Sequence, residues 1–438
     1  MVSNIKDKSI FTVSESKIKM LKIGIDFALE NFEKTTTKRK RKITSTDLIL
    51  FCINLYGRNK SYRVANSQFV NKGITKTTTN AFFERIKKLN ACDVNKISDY
   101  LCNFFYDSFY PKNQQRYIAI DGSDMSLLYN FKESGYRTNV NKEYCKAKLD
   151  PLYDVNTGLC INMDPFKNNN EQQHLITQTN FLTDKDVIVA DSGFFSFDVL
   201  SNFAQKNINF ILRVNGTACN EIKSQLLIDD KEFDIKINIK GNVFRLIRYY
   251  IKDIPYIILT SQFNLTVVKI KNIYWRRWHI ETFFRELKEE HGLNCLNTKN
   301  EHSLKLKLSF LRLMFVIIGF LLFGIDKREA KNIDYTIQIN RKAVKATLSF
   351  VYDLLFEKKE NKSKIYISKL VCAIKKLLDE SIAISLIYCK KDRTHERRRK
   401  SPVTKSYQKY KNGNSDDNDK NKNKNKNTIN QIPVIKEV

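Results

Sequence analysis

Two short apolar runs that each end at an aspartate constrain the fold of this chain most. Residues 116–120 read RYIAI and lead into Asp121, and residues 187–190 read VIVA and lead into Asp191. Such runs are typical of strands that are buried on both faces in an α/β sheet. Taken singly, Asp121-Gly-Ser and Asp191-Ser-Gly are more typical of strand-ending turns. Carboxylates at strand ends nevertheless lie where open α/β sheets bind ligands, so an α/β fold with two candidate site residues is predicted.

The charge of the chain indicates a polyanionic partner. Lys and Arg number 76 and Asp and Glu 47, so the formal net charge is 76 − 47 = +29. This excess favours DNA or RNA over an anionic membrane. The most apolar stretch, residues 313–325, is shorter than the about 20 residues of a membrane span and is predicted as a buried core helix. The scattered cysteines without a CxxC pair, and an amino-terminal sequence without an apolar signal segment, predict a cytoplasmic protein with reduced thiols.

The regions around the strand-rich part differ from it in the pattern of their apolar and polar residues. Before residue 112, apolar residues recur at three- and four-residue steps, which predicts helices. The first such series is Ile18, Leu21, Ile25 and Leu29. Residues 215–270 alternate apolar and polar side chains around a Lys240-Gly241-Asn242 turn, and we interpret this β-only piece as an insertion. Helix is predicted again, with breaks, from residue 271 to about residue 390, and the Asn/Lys-rich sequence after residue 400 predicts a disordered tail.

A third notable segment, residues 274–293, reads YWRRWHIETFFRELKEEHGL. If it is one helix, four polar side chains fall within an arc of about 60° beside an apolar face. These are Tyr274, Arg277, Glu281 and Lys288. Alone, this stripe is typical of a solvated face with an Arg–Glu pair. Together with the two strand-end aspartates, however, Glu281 completes a set of three carboxylates that suits a two-metal phosphoryl-transfer site.

The order of these motifs resembles the DDE transposases of bacterial insertion sequences. The resemblance lies in Asp121-Gly-Ser, Asp191-Ser-Gly-Phe and the spacing Tyr274-x2-Arg277-x3-Glu281-x6-Lys288. It is closest to the subgroup with a β-rich insertion before the Glu and a Tyr-Arg-Glu-Lys motif. It covers residues 116 to about 325, and the N-terminal region matches only in texture. One departure is Ser192, where the family often has a large basic residue; this removes one phosphate contact and leaves the acids intact.

The resemblance implies an RNase H-like catalytic core that uses Mg²⁺. Asp121, Asp191 and Glu281 would be the catalytic acids that hold two Mg²⁺ ions, for which Mn²⁺ would substitute. The residues that would bind the backbone of the transposon end are Tyr274, Arg277 and Lys288. The implied partners are double-stranded DNA, as terminal inverted repeats and as target, and a second copy of the chain in a homodimeric synaptic complex. A membrane partner is not expected, and the expected location is the nucleoid of a bacterial cytoplasm.

On this interpretation the fold class is α/β, with an RNase H-like core interrupted by a β-rich insertion and flanked by helical regions. The predicted segments are a helical N-terminal DNA-binding region (1–112), the first part of the core (113–214), the insertion (215–270), the second part of the core with the catalytic helix (271–330), a helical C-terminal region (331–400) and a disordered tail (401–438).

The predicted function is cut-and-paste transposition, in which one strand is nicked at each element end and the freed 3′-hydroxyl attacks the opposite strand and later the target DNA. Two alternatives stay open. One is an RNase H-like nuclease that cleaves DNA without strand transfer. The other is a catalytically silent DNA-binding protein derived from a transposase, which the complete acid triad disfavours. Terminal inverted repeats that flank the gene would separate the transposase from the nuclease.

Overall fold

The computed structural model describes residues 12–36, 43–57, 61–71, 78–138, 144–227, 232–251, 254–293, 298–325, 327–329, 335–339, 341–356 and 363–390. The chain divides into two compact units, residues 1–391 and 392–438. The second unit, and with it the predicted disordered tail at 401–438, lies outside the described residues.

The helices follow one another along the whole described chain. In chain order they are α1 (Glu15–Thr36), α2 (Ser45–Gly57), α3 (Tyr62–Asn71), α4 (Thr79–Ile86), α5 (Ala91–Phe109), α6 (Glu171–Gln178), α7 (Phe197–Gln205), α8 (Asn220–Leu226), α9 (Val267–Arg276), α10 (His279–Glu289), α11 (Glu301–Leu322), α12 (Arg341–Leu355) and α13 (Lys364–Ile384). The prediction of helices before residue 112 is confirmed. On α1, Ile18, Leu21 and Ile25 are fully buried, as their three- and four-residue spacing requires.

The strands lie mainly between α5 and α9. In chain order they are β1 (Arg116–Ala119), β2 (Ser123–Leu128), β3 (Arg137–Thr138), β4 (Tyr144–Leu149), β5 (Leu152–Asp154), β6 (Cys160–Asn162), β7 (Pro165–Phe166), β8 (Asp186–Ala190), β9 (Asn209–Arg213), β10 (Phe233–Ile239), β11 (Asn242–Ile251), β12 (Ile254–Thr260), β13 (Lys327–Glu329), β14 (Tyr335–Ile339) and β15 (Leu386–Lys390).

Eight of the described strands form one mixed sheet in the order β10-β11-β12-β9-β8-β1-β5-β6. In its centre β1 pairs parallel with β8, and β8 pairs parallel with β9, whereas β5 and β6 run as an antiparallel hairpin beside β1. Strands β2, β3, β4 and β7 form a separate four-stranded antiparallel sheet. The predicted α/β class is confirmed in this mixed α/β architecture.

Both faces of the central strands are covered, which explains their uninterrupted apolar sequence. Along β8, Val187 and Val189 belong to the larger apolar cluster, and Ile188 and Ala190 belong to a second one. Because successive side chains of a strand point to opposite faces, the two clusters lie on opposite sides of the sheet. The prediction of strands buried on both faces is therefore confirmed.

The β-rich segment after residue 215 continues the main sheet. Strand β12 pairs antiparallel with β9, and β11 and β10 follow outward. The turn between β10 and β11 has positive φ at Lys240 (47°) and Gly241 (84°), a conformation that suits a tight hairpin. The description of this piece as β-only was wrong, since α8 precedes its strands; the bounds 215–270 of the insertion stay a prediction.

The prediction that helix continues from residue 271 to about 390 was also wrong in part. Strands β13, β14 and β15 form a three-stranded antiparallel sheet. In the sequence, α12 and α13 lie between β14 and β15. The β-branched and aromatic residues of segments such as YTIQI (335–339) favour strand over helix. Pairing partners 50 residues apart in sequence made this sheet hard to predict.

Helix α11 is the apolar segment that the sequence predicted as a core helix. It packs against α2, α5 and β6, and its side chains from Leu306 to Leu322 are buried. Among the described residues, none of the helices combines the length and the apolar character that crossing a bilayer requires.

Candidate active site

The two strand-end aspartates lie side by side at one edge of the main sheet. The parallel register pairs Ala119 of β1 with Val189 of β8, and each aspartate follows its strand two residues after that pair. Asp121 and Asp191 therefore leave the sheet at the same level. The carboxyl ends of parallel strands are the usual ligand-binding edge of an α/β sheet.

Each aspartate is held by the glycine that follows it. The backbone N–H of Gly122 donates to Asp121 Oδ1 at 2.9 Å, and that of Gly193 donates to Asp191 Oδ1 at 2.9 Å. Asp191 also caps the short 3₁₀ turn Ser192–Phe194. The turn that ends each strand is thus also part of the candidate site, because it fixes the direction of the carboxylate.

The segment of residues 274–293 is two helices and not one. The backbone N–H groups of Arg277 and Trp278 bond three residues back, to Tyr274 (3.1 Å) and Trp275 (3.3 Å), which tightens the chain between α9 and α10. The prediction of one continuous helix was therefore wrong at this junction. Tyr274 lies on α9, Glu281 and Lys288 lie on α10, and Arg277 lies between the helices.

The guanidinium of Arg277 joins two of the acids. Its Nη1 lies 3.4 Å from Asp121 Oδ2, and its Nη2 lies 3.4 Å from Glu281 Oε1. The Arg277 side chain is 7% exposed, whereas Glu281 is 40% exposed. Burial lowers the pKa of Arg277, but Tyr274 and the nearby carboxylates outweigh this, so the net shift of its pKa is upward. The guanidinium is thus the counter-ion of the acids.

The charges of the other two acids act on Asp121. The pKa of Asp121 is raised, mainly by burial and further by the negative charges of Asp191 and Glu281, while Arg277 opposes the rise. The pKa of Tyr274 is raised as well, mainly by burial, with Asp191 adding to the shift. Since like charges this close repel each other, the arrangement favours binding of a cation.

Lys288 lies apart from this group. It is seven residues beyond Glu281 on α10, about 10 Å along the helix axis, and its Nζ lies 5.9 Å from the centre of the Phe284 ring. The structure therefore brings together five of the six predicted site residues and places Lys288 about two turns further along α10. The roles of all six residues stay predictions.

The donor set fits a divalent cation in its chemistry. Three carboxylates supply the hard oxygen ligands that Mg²⁺ takes, and their mutual repulsion is relieved by positive charge. Among the residues that the structure describes, however, no three His, Cys, Asp or Glu side chains are close enough to hold a metal ion together. Arg277 lies between Asp121 and Glu281, so these two acids would have to exchange the guanidinium for metal.

A neighbouring polar cluster was missed from the sequence. Glu171 of α6 forms an ion pair with Lys148 of β4, and His174 Nδ1 lies 3.3 Å from Asp150 Oδ2. Burial raises the pKa of Asp150 to about 6, and His174 limits the rise. No spacing signals this cluster, because the β4–β5 connection and α6 join only in the fold.

Gly122 is required by space, and this gives a first expectation. A Cβ at residue 122 would overlap Glu171 Oε1 and lie 3.1 Å from Asp150 Oδ1. We expect Gly122→Ala to push the Glu171 carboxylate away from Lys148 and to lower the free energy of unfolding by about 1 kcal/mol, measured by urea denaturation. In the Glu171→Ala background the same substitution should cost much less, because the overlapping oxygen is absent. Equal costs in both backgrounds would show that Glu171 is not what excludes a side chain.

Comparison with known proteins now bears on this site. Residues 112–317 match the family model described as "Transposase DDE domain". This part of the chain is a transposase DDE domain. The match contains Asp121, Asp191 and the whole segment of residues 274–293, so the predicted family is confirmed, while the subgroup of bacterial insertion sequences stays a prediction.

Two further comparisons add little to the transposase assignment. A solved structure described as "Cryo-EM structure of piggyBac transposase synaptic complex with hairpin DNA (SNHP)" is similar at 13% sequence identity and a TM-score of 0.39. The match covers 85% of this chain and 80% of that chain. A similarity this weak supports no conclusion about the function of this chain. The search of curated proteins gives no match.

Proposed function

We propose that this transposase moves an insertion sequence by cut-and-paste transposition. The observation that carries the proposal is that the buried guanidinium of Arg277 contacts both Asp121 and Glu281. The charge of Asp191, at the end of the neighbouring strand β8, acts on both Arg277 and Asp121. We further propose that the sheet is an RNase H-like core. The antiparallel hairpin on one side of β1 and the two parallel strands on its other side support this.

In the proposed mechanism the chain's own residues position DNA and cations. Asp121, Asp191 and Glu281 would hold two Mg²⁺ ions, or Mn²⁺, through their carboxylate oxygens. Bound ions of this kind lower the pKa of an attacking water and stabilise the leaving oxygen. One oxygen each of Asp121 and Asp191 accepts from the N–H groups of Gly122 and Gly193, and these bonds would orient the two carboxylates toward the ions.

Arg277 and Tyr274 would act on the DNA backbone. Once the acids have other counter-ions, the planar guanidinium of Arg277 is free to donate two parallel hydrogen bonds to a phosphate. Tyr274 is 4% exposed, so its ring anchors α9 in the core while its hydroxyl stays near Arg277. The net charge of +29 supports double-stranded DNA as the partner.

The reaction would proceed by successive displacements at phosphorus. Water attacks a phosphodiester at the element end, the bond to the 3′ oxygen breaks, and a 3′-hydroxyl and a 5′-phosphate result. The 3′-hydroxyl then attacks a phosphodiester of the opposite strand, whose 3′ oxygen leaves as a hydroxyl, and water hydrolyses the new joint and restores the first 3′-hydroxyl. That hydroxyl finally attacks a phosphodiester of the target DNA, where the bond to the target's 3′ oxygen breaks as the new bond forms. Because two ends must be held together for insertion, we propose a homodimer in the synaptic complex.

The test uses the inverted repeats that flank the gene. Purified protein is incubated with a labelled duplex that carries one repeat, a supercoiled target plasmid and Mg²⁺. We expect a nick at the repeat boundary and labelled plasmid as the joined product. Cleavage without joined product would favour the nuclease, and binding without cleavage would favour the silent DNA-binding protein.

Lys288 is expected to position the cut end and not to take part in bond chemistry. Lys288→Ala should lower the affinity for a nicked repeat end by about tenfold and the affinity for random duplex by much less, because one phosphate contact is lost at a defined place. Fluorescence anisotropy with both duplexes measures this. Lys223→Ala, an exposed lysine on α8, is the matched control. An equal fall for both duplexes would reduce Lys288 to a part of the general basic surface.

A further inference from the structure

Helix α6 contacts both loops that carry the candidate catalytic aspartates. It begins after Asn170, whose side chain accepts a hydrogen bond from the N–H of Gln173. Its first two residues, Glu171 and Gln172, point to different loops. Glu171 lies against Gly122, and Gln172 bonds to the backbone around Gly193.

On the Asp191 side the connection is a chain of hydrogen bonds. Gln172 Nε2 donates to the carbonyl oxygens of Gly193 and Phe195, both at 3.0 Å. The N–H of the same Gly193 donates to Asp191 Oδ1. One residue therefore separates the Gln172 amide from the Asp191 carboxylate. Both N–H bonds of the amide are used, so Gln172 fixes the loop in two places.

On the Asp121 side the contacts are steric and ionic. The Glu171 carboxylate fills the space beside Gly122, whose N–H holds Asp121, and Lys148 neutralises it. One turn later, His174 Nδ1 contacts Asp150 Oδ2.

Asp150 accepts a second contact from α6, in addition to the one from His174. The side chain of Gln178 donates to the backbone carbonyl of Asp150 at 2.8 Å. Asp150 is completely buried, and its second oxygen faces Gly122 and has no hydrogen-bond partner among the described residues. Glu171 and Asp150 thus both pack against Gly122, next to Asp121, whereas the loop of Asp191 is held by hydrogen bonds.

We propose that α6 is a brace that sets the separation between Asp121 and Asp191, with Gln172 as its main positioning residue. The inference rests on the proposed function, in which these two aspartates share cations. A shared cation requires carboxylate positions accurate to a fraction of an ångström. The hydrogen bonds of Gln172 to the Asp191 loop and the packing of Glu171 against Gly122 place both loops against the same helix.

The decisive experiment is a titration of the full-length protein with Mn²⁺ in the absence of DNA, followed by electron paramagnetic resonance of the free ion. Gln172→Glu keeps the size of the side chain but replaces two donors by oxygens that face two carbonyl oxygens. We expect its Mn²⁺ affinity to fall by about tenfold. Gln173→Glu makes the same chemical change at the next, exposed residue of α6 and should leave the affinity unchanged.

Two further variants make the result unambiguous. Gln172→Met removes the donors without adding charge; it should weaken Mn²⁺ binding as well, and it replaces Gln172→Glu if thermal melting shows that variant to be unfolded. Asp191→Asn tests the site itself. If Asp191→Asn abolishes Mn²⁺ binding while both folded Gln172 variants bind like wild type, the brace is overturned and the proposed function stands. If Asp191→Asn leaves Mn²⁺ binding unchanged, the metal site and the brace are both overturned.

Discussion

Replacing Glu281 with Gln is expected to abolish Mg²⁺-dependent cleavage of the repeat ends while binding of those ends persists. The substitution keeps the shape of the side chain and its place opposite Arg277, but it removes the negative charge that a cation requires. Since metal ions supply several kcal/mol of transition-state stabilisation, cleavage should fall by about a thousandfold or more. A gel-shift assay and a Mg²⁺ cleavage assay on the same preparation measure the two properties separately.

Glu289→Gln is the matched control for this variant. Glu289 lies on the same helix, α10, and is exposed, so the loss of its charge should leave cleavage near the wild-type rate. Near-normal cleavage by the Glu281 variant would remove Glu281 from the site. Loss of end binding together with cleavage would instead indicate a structural role for the contact with Arg277.

The largest effect on stability is expected at Arg312 of α11. Its guanidinium is 3% exposed and donates to Asp99 Oδ1 of α5 at 2.6 Å. It also donates to the carbonyl oxygens of Cys160 and Ile161, which belong to β6, the last strand of the main sheet. One side chain therefore links the N-terminal helices, α11 and the sheet.

Arg312→Met should lower the free energy of unfolding by about 3 kcal/mol. Methionine fills most of the volume but leaves two buried carbonyl groups without their donor, each at a cost of about 1–3 kcal/mol. Urea denaturation followed by circular dichroism measures the change. Lys305→Met, on the same helix with an exposed ion pair to Glu301, should cost less than about 0.5 kcal/mol. Equal effects of the two substitutions would show that the Arg312 contacts add nothing to stability.

The elements with the strongest local signal are those that the sequence predicted well. The apolar runs at residues 116–120 and 187–190 became β1 and β8 because a strand covered on both faces has no place for a polar residue. The Lys240-Gly241 turn was recognisable from Gly241, because glycine adopts positive φ without steric cost. The family, too, was recognisable from Asp121, Asp191 and the Tyr-Arg-Glu-Lys spacing, and residues 112–317 confirmed it.

Errors arose where distant contacts outweighed local pattern. The helical wheel of residues 274–293 assumed one axis, but the chain tightens at Arg277, which turns its guanidinium between Asp121 and Glu281. The small sheet of β13, β14 and β15 depends on a pairing between strands that α12 and α13 separate in the sequence. Neither the break after α9 nor the pairing of these strands produces a periodic pattern in the sequence.

By itself, then, the sequence determined which residues are available for chemistry and which strands carry them, because burial and turn formation act on neighbouring residues. Only the tertiary structure decided which groups meet. The register of β1 and β8 sets Asp121 beside Asp191, the break after α9 places Arg277 among the acids, and α6 brings Glu171 and Gln172 to the two glycines. Except for the pair of Arg277 and Glu281, these contacts join residues 21 to 156 positions apart, and their energies depend on geometry that packing of the whole domain imposes.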